Sequence, residues 1–131
     1  MCMTIKASSA DVEPDRIVAI ARAWPADKTP FYVDGRGGLR PKPIGFALHG
    51  CDLLSDEADW DAETWEMKPE ALPKLADSFA WLFDQIDQGL IVEALWDGGR
   101  HGETVATSAP AFLEVVRAGA IGTKTRYVIE R

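Results

Sequence analysis

The sequence predicts an α+β fold, with one domain over 1–131 and about three helices packed on a mixed or mostly antiparallel sheet. Three observations predict it. A helical stripe at 69–88 runs straight into an apolar strand at 90–96. The element order reads α-β-β-β-α-β-β-α-β, without the regular βαβ alternation of a parallel sheet. The chain has 131 residues, 47% of them hydrophobic, which suits one self-sufficient core.

Taken in order, residues 1–10 read as a ragged start, with 4–7 as a short edge strand. Glu13-Pro14-Asp15 opens the first helix, because proline suits a first turn and acids face the helix dipole. Ile17, Ile20, Ala21 and Trp24 form its apolar stripe, and Pro25 stops it. Residues 31–33 read as a strand, 34–43 as a Gly/Pro/Arg loop, and 44–48 as a strand running into His49-Gly50-Cys51. An acidic loop follows at 52–61. Residues 64–67 then alternate as a pairing strand, with Trp65 and Met67 on one face.

In the central helix, Leu72 can be set at zero with 100° per residue. Leu75, Ala76, Phe79, Leu82, Phe83 and Ile86 then fall within about 80° of it. Lys74, Asp77, Ser78, Asp84 and Gln85 fall opposite. Trp81 lands among them, at about 180°. It either lies over its neighbours' stems, is covered by another element, or sits at an interface. Gly89 suits a left-handed stop. Asp97-Gly98-Gly99-Arg100-His101-Gly102 reads as a hairpin loop, with 103–107 as the returning strand. Ser108 is an N-cap with Pro110 in the first turn, and Phe112, Leu113, Val115 and Val116 make the third apolar face. In a last strand over 123–130, Thr125, Tyr127 and Ile129 face inward, while Lys124, Arg126 and Glu130 face out.

Charge is concentrated in one stretch. The net charge is −7. Residues 52–70 hold eight acids against the single base Lys68, so the rest of the chain is neutral. This excludes a phosphate-binding footprint for nucleic acid and suits a basic protein partner. No run approaches the ~20 apolar residues of a membrane span. Met1 to Lys6 has no secretory apolar region, so a cytoplasmic protein with free thiols at Cys2 and Cys51 is expected.

Motifs for chemistry are sparse. His49, Cys51 and His101 are the soft donors away from the chain start, but no C-x-x-C or H-x-x-x-H spacing joins them. No structural metal or cofactor is expected. Cys51 with His49 or His101 makes a Cys–His pair by inventory only. Gly35-Arg36-Gly37-Gly38-Leu39-Arg40 offers amides and two guanidinium groups to an anion, yet lacks the phosphate-loop pattern. The acids at 56–63 lack the spacing of a calcium-binding EF-hand loop.

The sequence therefore points to a non-enzymatic protein-binding domain of inhibitor or immunity type. Its acidic face would dock a basic partner through Asp56, Glu57, Asp59, Trp60, Asp61 and Trp81, with aromatics as anchors and charges speeding association. A homodimer through Trp81 is a further option. The alternative is a small-molecule-binding domain or enzyme using Arg36 and Arg40 with His49, Cys51 and His101.

Overall fold

Period-two patterning decides which face of the sheet carries the helices. In the computed structural model, residues 3–37, 39–40, 42–59, 61–87, 89–96 and 99–130 are described. The strands are β1 (Met3–Ser8), β2 (Tyr32–Arg36), β3 (Lys42–His49), β4 (Ile91–Trp96), β5 (Glu103–Ser108) and β6 (Thr125–Glu130). The helices are α1 (Pro14–Arg22), α2 (Leu72–Gln85) and α3 (Ala109–Arg117). The strands form one sheet in the order β2-β3-β1-β4-β6-β5, antiparallel at every pairing except β5 with β6. This is an α+β domain with a mixed sheet.

In β1, Met3, Ile5 and Ala7 are fully buried and alternate with half-buried Thr4, Lys6 and Ser8. Register carries that alternation across the sheet. Phe46, Ala7, Val92, Tyr127 and Val105 share one cross-strand row; Ala47, Lys6, Glu93, Arg126 and Thr104 share another. The first row lies on the face that packs under all three helices, and the second on the opposite face.

The helix stripe falls where the wheel puts it. Leu75, Ala76, Phe79, Leu82, Phe83 and Ile86 are buried, and Leu72 packs at the margin. Each large apolar side chain so buried contributes on the order of 1.5–3 kcal/mol. The helix itself is shorter than its periodicity. A 3₁₀ turn, Pro69–Ala71, precedes it, and Ile86 already has extended backbone. Gly89, at φ 66°, then turns the chain into β4, and Asp11 packs against it where a side chain would stand. In α3 the Ser108 hydroxyl accepts from the Ala111 amide at 3.2 Å, as expected of the cap.

Four expectations are corrected. β1 is no edge strand; it lies between β3 and β4, because its Met3, Ile5 and Ala7 are apolar enough to sit at the centre. Residues 64–67 form no strand and make only isolated bridges, Thr64 with Gly122 and Leu54 with Met67. β5 does not return along β4. β6 inserts between them and pairs parallel to β5, so β5-α3-β6 is a βαβ unit. Turn-rich residues at 97–102 permit a reversal but do not choose the neighbour.

The fourth concerns the supposedly polar side of α2. Ser78 is fully buried, and its hydroxyl donates to the Thr29 carbonyl at 3.0 Å and the Lys74 carbonyl at 3.1 Å. Trp24 Nε1 donates to the same Thr29 carbonyl at 3.1 Å. The segment after α1 is thereby tied across α2, and Trp24 meets the Trp81 ring edge-on at 5.0 Å between centroids. α2 is covered on two sides.

Phe79 is in ring contact with Phe31, Phe83 and Phe112. Phe79→Ala should cost about 3–5 kcal/mol in urea denaturation. A loss below about 1 kcal/mol would show that the ring is not central.

Candidate functional site

The acidic segment is a closed loop with a hydrogen-bonded stem. The Lys68 amide donates to the Leu53 carbonyl at 2.7 Å, and the Ser55 amide to the Glu66 carbonyl at 2.8 Å. Chain ends this close define an Ω-type loop, packed by its own side chains. Its returning arm is stitched to the 121–123 turn. The Trp65 amide donates to Ile121, the Thr123 amide to Glu63, and the Thr123 hydroxyl to the Ala62 carbonyl at 2.7 Å. Inside the loop, the Asp59 carboxylate accepts from the Asp61 amide at 2.9 Å, a local turn that aspartate favours.

Three apolar residues anchor the loop. Leu54, Trp65 and Met67 are buried, and Trp65 Nε1 donates to the Ala94 carbonyl of β4 at 2.9 Å. All eight acids point the other way: Asp52, Asp56, Glu57, Asp59, Asp61, Glu63, Glu66 and Glu70 are exposed. Six of them sort around two concavities. Asp56, Glu57, Glu66 and Glu70 border an open depression of about 530 Å³, with Lys68 on its rim. Asp61, Glu63 and Glu103 border another of about 480 Å³, together with Thr123, Lys124 and Thr125. Trp60 lies outside the described residues, as do Cys2 and Asp97.

Trp81 is half-buried and belongs to a cluster with Trp24, which also touches Phe31 and Phe46. Of the three outcomes open for the ring, cover by another element is the one found: the chain after α1 folds over it through Trp24.

The residues of the alternative reading are spread over the molecule. His49 ends β3 on the helix-free face, its Nε2 3.4 Å from the Tyr32 hydroxyl. Cys51 is a half-buried free thiol in the Cys51–Leu53 turn. The His101 imidazole faces Glu93 at 3.6 Å, with β1 between that pair and His49. Arg40 is exposed in the loop after β2. Arg36 instead faces a concavity it shares with Arg126. Among the described residues no three His, Cys, Asp or Glu side chains converge as a metal-binding group.

Sequence reasoning missed Glu66, Glu70 and Glu103 as neighbours of the acidic patch. It counted Glu66 and Glu70 as charge but could not know that the loop closes. Nothing in the sequence joined Glu103 to Asp61, because β5 lies beside β6 only through the βαβ crossover. The chain matches no protein-family model, and no curated protein or solved structure is detectably similar to it.

Two outcomes test this geometry. Trp65→Phe keeps most of the bulk but leaves the buried Ala94 carbonyl without its donor, so it should cost about 1–3 kcal/mol. It should also speed hydrogen exchange at the Ser55 and Lys68 amides; unchanged exchange would show that the stem holds without the indole. Trp81→Ala removes the edge-on contact and should destabilise the monomer by at least about 0.5–1.5 kcal/mol in thermal unfolding. No change in melting temperature would place the ring outside the packed cluster.

Proposed function

We propose that this protein is a non-enzymatic binding domain whose Ω-type acidic loop docks a basic protein partner. One observation carries the reading: the loop buries its Leu54, Trp65 and Met67 while its six acids, and Asp52 and Glu70 beside its stem, stay exposed. A loop acidic merely for solubility needs no buried tryptophan or cross-loop stem. This one holds the backbone that carries its charges, and an ordered backbone can match a partner's cations without paying to order the loop on binding. The depression between Asp56, Glu57, Glu66 and Glu70 suits lysine or arginine side chains offered by the partner. Charge complementarity of this kind speeds encounter and selects partners more than it adds affinity.

An inhibitor or immunity-type role in the cytoplasm fits that chemistry: a small acidic domain covering the basic surface of a toxin or nuclease. The function is then occlusion rather than turnover, and the relevant quantities are association rate and residence time.

The test compares wild type with a variant carrying Asp56→Asn, Glu57→Gln, Asp59→Asn and Asp61→Asn. Wild type should capture a basic protein from the native host. The purified pair should associate more slowly as salt rises, because exposed charges are screened within about 10 Å at 0.1 M. The variant should keep its fold by circular dichroism and associate at least about tenfold more slowly at low salt, within the range attributed to steering. Equal association rates for the two proteins would overturn the proposal.

A further inference from the structure

The helix-free face of the sheet ends in a third concavity, unrelated to the acidic loop. It lies where β1 finishes, an open depression of about 260 Å³ lined by Ser8, Ser9, Arg36, Ile44, Ile91 and Arg126. Register explains the convergence. Ser8 stands opposite Gly45 on one side and Ile91 on the other, while Arg126 follows one pair along on β6, opposite Glu93.

Two backbone features shape it. A Cβ on Gly45 would stand 2.6 Å from the Ser8 Cα, so glycine lets β3 lie close against β1 here. The β2–β3 register shifts at Asp34/Gly35, its partners jumping from Gly45 to Pro43 and leaving Ile44 unopposed. Such a bulge bends the strand and re-aims its side chains. The Ile44 carbonyl accepts from the Ser9 amide at 3.2 Å, closing the end of the concavity.

The two guanidinium groups are its chemical content. Among the described residues neither Arg36 nor Arg126 has a hydrogen-bond or ion-pair partner. Glu93, the register neighbour of Arg126, turns its carboxylate to His101 instead. Asp34, opposite Gly45, is in no ion pair among the described residues either. The acidic loop leaves the sheet beyond His49, four residues along β3 from Gly45, or about 13 Å at ~3.3 Å per residue. The carboxylates that dominate the net charge therefore emerge at the far end of that strand.

We propose that this concavity is a binding site for a small organic carboxylate with a short apolar body. Paired guanidinium groups are the preferred partners of planar carboxylates, which they can hold with two parallel hydrogen bonds. The Ser8 hydroxyl adds a donor at the same place. Ile44 and Ile91 give the wall an apolar stretch, which an inorganic anion would leave unused. The volume lies below the roughly 300–1,000 Å³ of sites for drug-sized ligands, so the ligand is small. The site is independent of the acidic loop, and either can fail without the other.

The test is an amide-resolved NMR titration of the full chain, with butyrate and inorganic phosphate as probes at constant ionic strength. Butyrate should give saturable shifts centred on Ser8, Ser9 and Ala10. Arg36→Met and Arg126→Met should each weaken it about tenfold, the loss of a charge-assisted hydrogen bond. Arg100→Met, an exposed arginine elsewhere, should leave it unchanged. Arg36 lies on the edge strand, so its variant serves should Arg126→Met fail to fold. Shifts that never saturate, that persist in the arginine variants, or that phosphate reproduces at equal concentration would overturn the proposal.

Discussion

The Phe79 ring is the contact on which the other layers depend. It packs edge-on against Phe112 of α3 at 5.2 Å and Phe31 at 5.6 Å, and lies 6.0 Å from Phe83 one turn along. Phe112 in turn meets Tyr127 of β6 at 5.1 Å. One chain of rings thus runs from the segment before β2, through two helices, into the sheet. Tyr127 extends it further, because its hydroxyl accepts from the Gly122 amide at 2.9 Å. That turn is the one to which the acidic loop is stitched, so the order of the core passes by direct contacts to the charged surface.

This continuity bears on how a charged loop can stay in shape. Eight like charges in one short segment repel, and in isolation would expand it. Here the repulsion is opposed by the stem between Leu53 and Lys68, by the 121–123 turn and by the buried Trp65 indole. Exposure keeps the repulsion small, since each carboxylate remains hydrated and screened. The molecule separates its apolar and ionic roles along one segment, alternating residues that hold the loop with residues that present charge.

Much of the fold was legible because periodicity is local. The stripe of α2, the cap at Ser108 and the inward Thr125, Tyr127 and Ile129 all follow from neighbours a few positions apart. What was not legible was pairing. Glu103 follows a glycine-rich stretch of sequence after β4, yet its strand joins β6, and β1 looks like a frayed start but takes a central place. Both outcomes are decided by which apolar faces meet across the whole domain. Ser78 misled for a related reason: serine counts as polar on a wheel, but here it satisfies a carbonyl brought in from Thr29. At the candidate sites the acids were visible as composition and their display was not. Arg126 was read as an outward strand residue, which it is, without any sign of the Arg36 it would meet.

The position of β1 has a consequence for how the chain comes together. Met3 pairs with Trp96, and Ser8 with Ile91, so the middle of the sheet joins residues more than eighty positions apart. Such distant pairings carry a large closure cost and slow the search for the native topology. The β5-α3-β6 unit, by contrast, is built from adjacent residues and can assemble early. On a ribosome β1 can pair with β3 first, but its other side would wait until β4 is made. At synthesis rates of about 5–20 residues per second that interval lasts several seconds. For those seconds the β4 side of a strand destined for the middle of the sheet is open to any neighbouring chain, which makes its earliest life the time when a chaperone would matter most.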